Sequence, residues 1–264
     1  DIVYYEIWRT GGTEKLFASS AVVTDCKASI QISLVKGLTY DFIFWAQNEA
    51  CGAYNVDNLK NVGVDYDVIG AEGNQDKFDA FYAIETIRVE GPINKTITLF
   101  RPFAQLNFAT EVGDMDESIA AGDLGIHNKA AVTVKNVANT LNLFTGETCY
   151  IDANNHSEAA GAAVIIPDTE FPKVKVMQDG KEVEVYPTIQ VEGVTYEIVA
   201  MNYILVADSG SKDGKTTVDL KLQVGEFELS VPNAYMKRNW RTNVVGELLT
   251  AEGSFKVNID PIFE

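Results

Sequence analysis

The stretch Thr217-Val218-Asp219-Leu220-Lys221-Leu222-Gln223-Val224 places apolar residues at 218, 220, 222 and 224 and polar ones between them. That is the two-residue period of a strand with one buried face. The same period recurs in Ser29-Ile30-Gln31-Ile32-Ser33-Leu34-Val35 and in Ser254-Phe255-Lys256-Val257-Asn258-Ile259. Lys173–Val176 and Lys181–Val185 flank Asp179-Gly180, the strongest short-range signal for a hairpin. One-sided rows of this kind suit antiparallel sheets with a wet face.

Two denser runs, Thr39–Gln47 and Tyr196–Ala207, carry apolar residues on both faces and read as central strands of packed sheets. Pro102, between Phe100 and Phe103, marks an edge, a bulge or a change of sheet, because proline cannot donate to the ladder. Helix signals are confined to Asp76–Tyr82 and to Met115–Ala121, the second with Asp114 as its cap. The expectation is an all-β chain with few short helices.

At 264 residues the chain fits two modest domains, each able to bury its own core. Glu111-Val112-Gly113-Asp114 follows a strong strand and precedes an acidic, glycine-containing stretch, which places the division at 1–112 and 113–264. Asp152–Gly161 is the best candidate for an exposed loop. The chain opens on Asp1-Ile2-Val3-Tyr4-Tyr5, a strand already under way, as in a processed product. No run approaches the ~18 apolar residues of a membrane-spanning helix.

Lys and Arg number 21 against 38 Asp and Glu, for a net charge of −17. A phosphate backbone is repelled by such a chain, so nucleic acid is not an expected partner. Both halves are acidic, and the charge assigns them no different partners. The bland reading of the charge is solubility.

Little else suggests chemistry. Cys26, Cys51 and Cys149 are an odd count without CxxC spacing, so no disulfide framework follows, although one pair could form. His127 and His156 match no zinc spacing. Cys149 and His156 are seven residues apart, which establishes no nucleophile–base pair. Asp65-Tyr66-Asp67 and Asp114-Met115-Asp116-Glu117 offer hard oxygens but no EF-hand loop. No GxSxG, P-loop or GxGxxG is present. The expectation is a protein that is not an enzyme, with no catalytic residue, metal or cofactor. The aromatic residues fill cores or line a sugar-binding face, and Trp8, Trp45 and Trp240 are the candidate surface aromatics.

Four pieces, in order along the chain, carry a resemblance. They are Phe42-Ile43-Phe44-Trp45-Ala46; Asp76-Lys77-Phe78-Asp79-Ala80-Phe81; Leu99-Phe100-Arg101-Pro102-Phe103-Ala104-Gln105-Leu106-Asn107-Phe108-Ala109-Thr110; and Asn239-Trp240-Arg241-Thr242-Asn243-Val244-Val245-Gly246-Glu247-Leu248-Leu249-Thr250. Together they resemble the fimbrillin-like proteins of Bacteroidales bacteria. The resemblance implies two transthyretin-like antiparallel β-sandwich domains. It implies export as a lipoprotein to the outer surface and assembly into a type V pilus, with other fimbrial subunits as partners. In such a pilus a protease removes the first strand and a neighbour's strand fills the groove. The absence here of a lipobox cysteine and of a first strand matches a start after the processing site, or a trimmed chain.

The leading reading is therefore a structural fimbrial subunit. The alternative is a surface adhesin or carbohydrate-binding protein of the same fold, including a pilus tip, with surface glycans or proteins as partners. Ser254–Ile262 is the candidate strand acting between subunits, with Phe255, Val257, Ile259 and Ile262 as its apolar residues and Gly253 as a hinge.

Overall fold

The computed structural model describes residues 1–72, 75–122, 128–152, 154, 156–158, 164–207, 214–249 and 254–261. Strands are numbered in chain order. The first sheet runs β2 (Lys15–Val22), β1 (Ile2–Arg9), β3 (Thr39–Gln47), β6 (Ala80–Arg88). A second, of short strands, runs β11 (Ser157–Glu158), β10 (Thr148–Ile151), β9 (Thr140–Leu141), β5 (Val62–Val64), β4 (Tyr54–Asn55). The third runs β12 (Val164–Glu170), β8 (Lys129–Lys135), β17 (Lys215–Val224), β18 (Phe227–Lys237). The last runs β15 (Thr188–Val191), β16 (Val194–Leu205), β7 (Phe103–Glu111), β19 (Arg241–Gly246), β20 (Phe255–Asp260). β13 (Val174–Gln178) and β14 (Lys181–Val185) form a separate hairpin. The architecture is all-β, as expected.

The alternating row at 218–224 is β17, with Val218, Leu220, Leu222 and Val224 all buried. The hairpin turns at Asp179 (φ 50°) and Gly180 (φ 74°), the pair of positive φ values that suits a two-residue connection. Pairing is antiparallel throughout the described strands except between β7 and β19, which run parallel. β7 ends one residue before the expected division at 112/113. Its partners β16 and β19 both lie beyond that point, and β5 pairs with β9 across it.

One large buried cluster joins Trp45 and Phe103 to Leu141, Leu205 and Leu222. Tyr66 ties the same region together: its hydroxyl donates to the Ala138 carbonyl (3.0 Å) and accepts from the Leu205 amide (3.0 Å). Burial keeps that phenol well above its usual pKa, against the opposing hydrogen bond from the Leu205 amide.

Two helices differ from expectation. α1 (Tyr66–Glu72) begins where Asp65 caps it, the carboxylate accepting from the Asp67 and Val68 amides at 3.0 and 3.2 Å. The Asp65-Tyr66-Asp67 run is thus a helix start. Asp76–Tyr82 holds only a 3₁₀ turn (Asp76–Phe78) before β6 begins at Ala80. α2 (Asp114–Ala121) forms as expected, but Gly113 (φ 91°) occupies the cap position and Asp114 the first helical turn.

Candidate functional site

The first sheet has two apolar faces. Trp8, Ile43, Trp45 and Tyr82 point into the main core. Val3, Tyr5, Ile7, Tyr40, Phe42, Phe44 and Ala83 point the other way and form a second cluster. The alternation of β1 and β3 produces this directly, since successive side chains leave opposite faces.

What covers the second cluster is unusual. Ile30, Ile32 and Leu34 pack on it from one segment, and Ile97 and Leu99 from another. In each segment the intervening residues (Gln31, Ser33; Thr96, Thr98) are exposed. Both have the burial pattern of a strand, and neither is one. Among the described residues no backbone–backbone hydrogen bond involves 28–34 or 92–99. Ser29–Val35 therefore departs from the sequence expectation. Alternation reports which side chains are buried, but a strand also needs a neighbour at ~4.8 Å to share its hydrogen bonds.

Each segment is fixed at one end. The Val35 amide donates to the Tyr40 hydroxyl at 3.2 Å, and the Gly37 amide to the Val89 carbonyl at 2.7 Å. Phe100 exchanges a pair of backbone hydrogen bonds with Tyr82 (2.9 and 2.8 Å). Next to it, Arg101 grips Asp79 with Nε and Nη2, both at 2.6 Å, and donates through Nη1 to Asn239 at 2.7 Å. Burial pushes the Asp79 carboxyl above its ordinary range, against the pull of Arg101. Two pinned, extended segments thus lie over an apolar sheet face with their ladder groups unused.

At the other end of the chain, β20 pairs with β19 and forms an edge of the last sheet. Its hold is light: Phe255 is 41% and Val257 39% exposed, and Ile259 is half-buried. Ile262 and Gly253 lie outside the described residues.

The tryptophan expectation is corrected. Trp8 and Trp45 are buried, because both stand on the inner face of the first sheet. The Trp8 indole donates to the buried Glu6 carboxylate (3.0 Å) and that of Trp45 to Gln47 (2.8 Å). Trp240 is half-buried, with Lys237 Nζ 4.1 Å from its ring centre. Cys149 is half-buried. His156 is exposed and its Nδ1 lies 3.3 Å from Asp152, while His127 falls outside the described residues. Asp116 accepts from the Tyr186 hydroxyl at 3.1 Å, and Thr110 donates to Asp114.

Sequence reasoning missed a broad concavity on the second sheet, with a volume of about 830 Å³, lined by Asn55, Asn61, Gly63, Asp67 and Tyr150 among others. The strands that build it are two to four residues long, too short to leave a periodic trace.

A family model described as a family of unknown function, DUF6562, matches residues 3–264. No curated protein matches the sequence. Among solved structures, a candidate adhesin from Bacteroides thetaiotaomicron superposes with a TM-score of 0.52 at 11% identity, over 99% of this chain and 88% of that one. The tip fimbrial protein Mfa3 of Porphyromonas gingivalis, with a C-terminal truncation, gives 0.48 at 10% identity, over 98% and 93%. The fimbrial anchor protein Mfa2 of the same organism gives 0.46 at 12% identity, over 99% and 89%. The likeness to the first of these is one of fold, and the fold is the all-β architecture that the resemblance implied.

Proposed function

This chain belongs to the DUF6562 family of unknown function, and we propose that it is a structural subunit of a cell-surface fimbria that accepts a strand from a neighbouring subunit. The observation that carries this reading is the pair of segments 29–35 and 93–99, which cover the second apolar cluster without any ladder of their own. A sheet short of one strand offers unpaired amides and carbonyls to an extended segment, and pockets to its alternate side chains. β20 is the proposed donor. Its residues 255, 257 and 259 share one face, ~6.6–6.8 Å apart, and two of them are already exposed. Full burial of each is worth about 1.5–3 kcal/mol before entropy is counted. The proposed setting is extracellular, on the outer membrane, after lipoprotein export and processing, with other fimbrial subunits as partners.

The test is a synthetic peptide of sequence SFKVNIDPI added to the purified protein. Binding to the folded state raises the melting temperature, by an amount that grows with the logarithm of one plus the ratio of free peptide concentration to Kd. The expected result is that rise, together with slowed hydrogen exchange at 29–35 and 93–99. A peptide that protects neither segment, with no filaments on cells by electron microscopy, refutes the reading. The second reading is a surface adhesin or carbohydrate-binding protein, at the pilus tip or elsewhere. It loses the expected tryptophan row, and the concavity on the second sheet is the observation in its favour.

A further inference from the structure

The hairpin of β13 and β14 is anchored at its base. Phe171 meets Tyr186 edge-on, with ring centres 6.3 Å apart. The Phe171 amide donates to the Asn128 carbonyl at 2.7 Å, and the Ile198 amide to the Pro187 carbonyl at 2.8 Å. Between those points, among the described residues, no backbone–backbone hydrogen bond of 172–185 leaves the hairpin. The register pairs Val174 with Val185 and Val176 with Val183, so four valines share one face. Val174 is 42%, Val176 39% and Val185 36% exposed. A two-stranded hairpin is marginal in water until a third strand or a packed layer joins it.

The Asp179-Gly180 turn makes Gln178 and Lys181 a hydrogen-bonded pair, and such pairs recur at every second position. The amides and carbonyls of Lys175 and Met177 on β13, and of Glu182 and Glu184 on β14, therefore point outward along two open edges. The charges decide which edges can meet. In full antiparallel overlap with its own copy, β14 sets Glu182 opposite Glu184, and like charges directly opposite are destabilising. β13 on its own copy gives Lys175 no carboxylate. β13 on β14 repeats the register already found inside the hairpin, with Lys175 opposite Glu184, Glu182 two residues along the same face, and valine opposite valine. Lys175 Nζ already takes Glu182 at 2.8 Å within one chain, so the chemistry of that pairing is present in the fold.

We propose that β13 of one copy of this chain pairs edge to edge with β14 of a second copy, extending the hairpin into a four-stranded sheet with one valine face. The contact is heterologous, so each copy keeps one open edge. An edge of five residues is small against the ~1,200–2,000 Å² of stable complexes, and it acts between copies already held close to one another. It involves neither β20 nor the segments 29–35 and 93–99. It therefore stands or falls apart from the fimbrial reading.

The experiment uses the purified full chain at sub-millimolar concentration, with sedimentation to read association. A proline at an outward amide leaves the hairpin's own ladder intact and closes that edge. Met177→Pro closes β13 and Glu184→Pro closes β14. Slow hydrogen exchange at the Val176 and Val183 amides, which bond inside the hairpin, shows that it is still folded. The parent should self-associate, and each proline variant should weaken this at least about tenfold, or about 1.4 kcal/mol. An equimolar mixture of the two variants should recover association and stop at the dimer, because only one open β13 edge and one open β14 edge remain. Lys175→Glu and Glu184→Lys serve if a proline variant loses the inner protection: each should self-associate less than the parent, and their mixture should recover. The inference is overturned if the parent stays monomeric or if either proline variant associates as the parent does. It also fails if the mixture does not recover, which would mean that like edges pair or that another surface is responsible.

Discussion

Replacing Val257 with Asp separates a strand that serves its own sheet from one that serves a neighbour. In the isolated molecule Val257 pairs with the fully buried Val244 and is itself 39% exposed. With roughly 60% of the side chain covered and about 1.5–3 kcal/mol for complete burial, the transfer loss is ~1–2 kcal/mol. The new carboxylate can still reach water from an edge strand. A domain of ordinary stability, about 5–15 kcal/mol, survives that change. Donation changes the arithmetic. Inserted over Val3, Tyr5, Phe42 and Phe44, the aspartate meets an apolar face where an unpaired charge costs several kcal/mol. At ~4 kcal/mol the subunit affinity falls about a thousandfold. The assays are urea denaturation of the monomer and electron microscopy of filaments, with Val22→Asp as a control at a position already 74% exposed. The expected outcome is a folded Val257→Asp monomer that makes no filaments, beside a control that does. Normal polymerisation of Val257→Asp refutes the donor role. An unfolded monomer assigns the strand to its own core.

Three further outcomes follow from the same structure. Arg101→Ala strips a mostly buried carboxylate of its partner, for a loss of about 3–5 kcal/mol at neutral pH. Because Asp79 already binds its proton more readily when folded, and more so without the guanidinium, the deficit should shrink as pH falls through the window above the ordinary carboxylate value; equal deficits in urea melts at about pH 7 and pH 5 would refute this. Gly246→Ala places a side chain at φ +152°, against the Ser254 carbonyl and 2.8 Å from the Phe255 Cα, and should cost about 1–3 kcal/mol in backbone strain and a similar amount in collision; a change in denaturation midpoint worth under ~0.5 kcal/mol, within the usual range of surface substitutions, contradicts it. Residues 1–112 expressed alone leave β7 without β16 and β19, so two folding units divided at 112/113 require that fragment to melt cooperatively; we expect it to aggregate.

Much of the fold was legible where side-chain period and partner-independent turn chemistry coincide. β3, β16, β17 and the hairpin at Asp179-Gly180 were read from local residues, because burial on one face or two is written into the order of apolar positions. The candidate site was less legible. Ile30, Ile32 and Leu34 announce a buried face, but whether the backbone beside them has a partner depends on residues elsewhere in the chain. The tryptophans were misassigned for a related reason: Trp8 and Trp45 lie in strands apolar on both faces, and only the sheet's stacking shows which face holds the core. α1 was missed because Asp65 capping a seven-residue helix looks, in one dimension, like one more acidic loop.

The parallel pairing of β7 with β19 also governs time. Asn107 bonds to Asn243 (2.8 Å) across 136 positions of chain, so the central strand of the last sheet is synthesised well before one of its flanking partners. Contacts of such separation form slowly, since the entropy of closing the loop is paid before they contribute. Until β19 is available, β7 has an open edge and no completed sheet. This sheet therefore cannot settle until β19 has followed, and the nascent chain stays pliable for as long as that strand is missing.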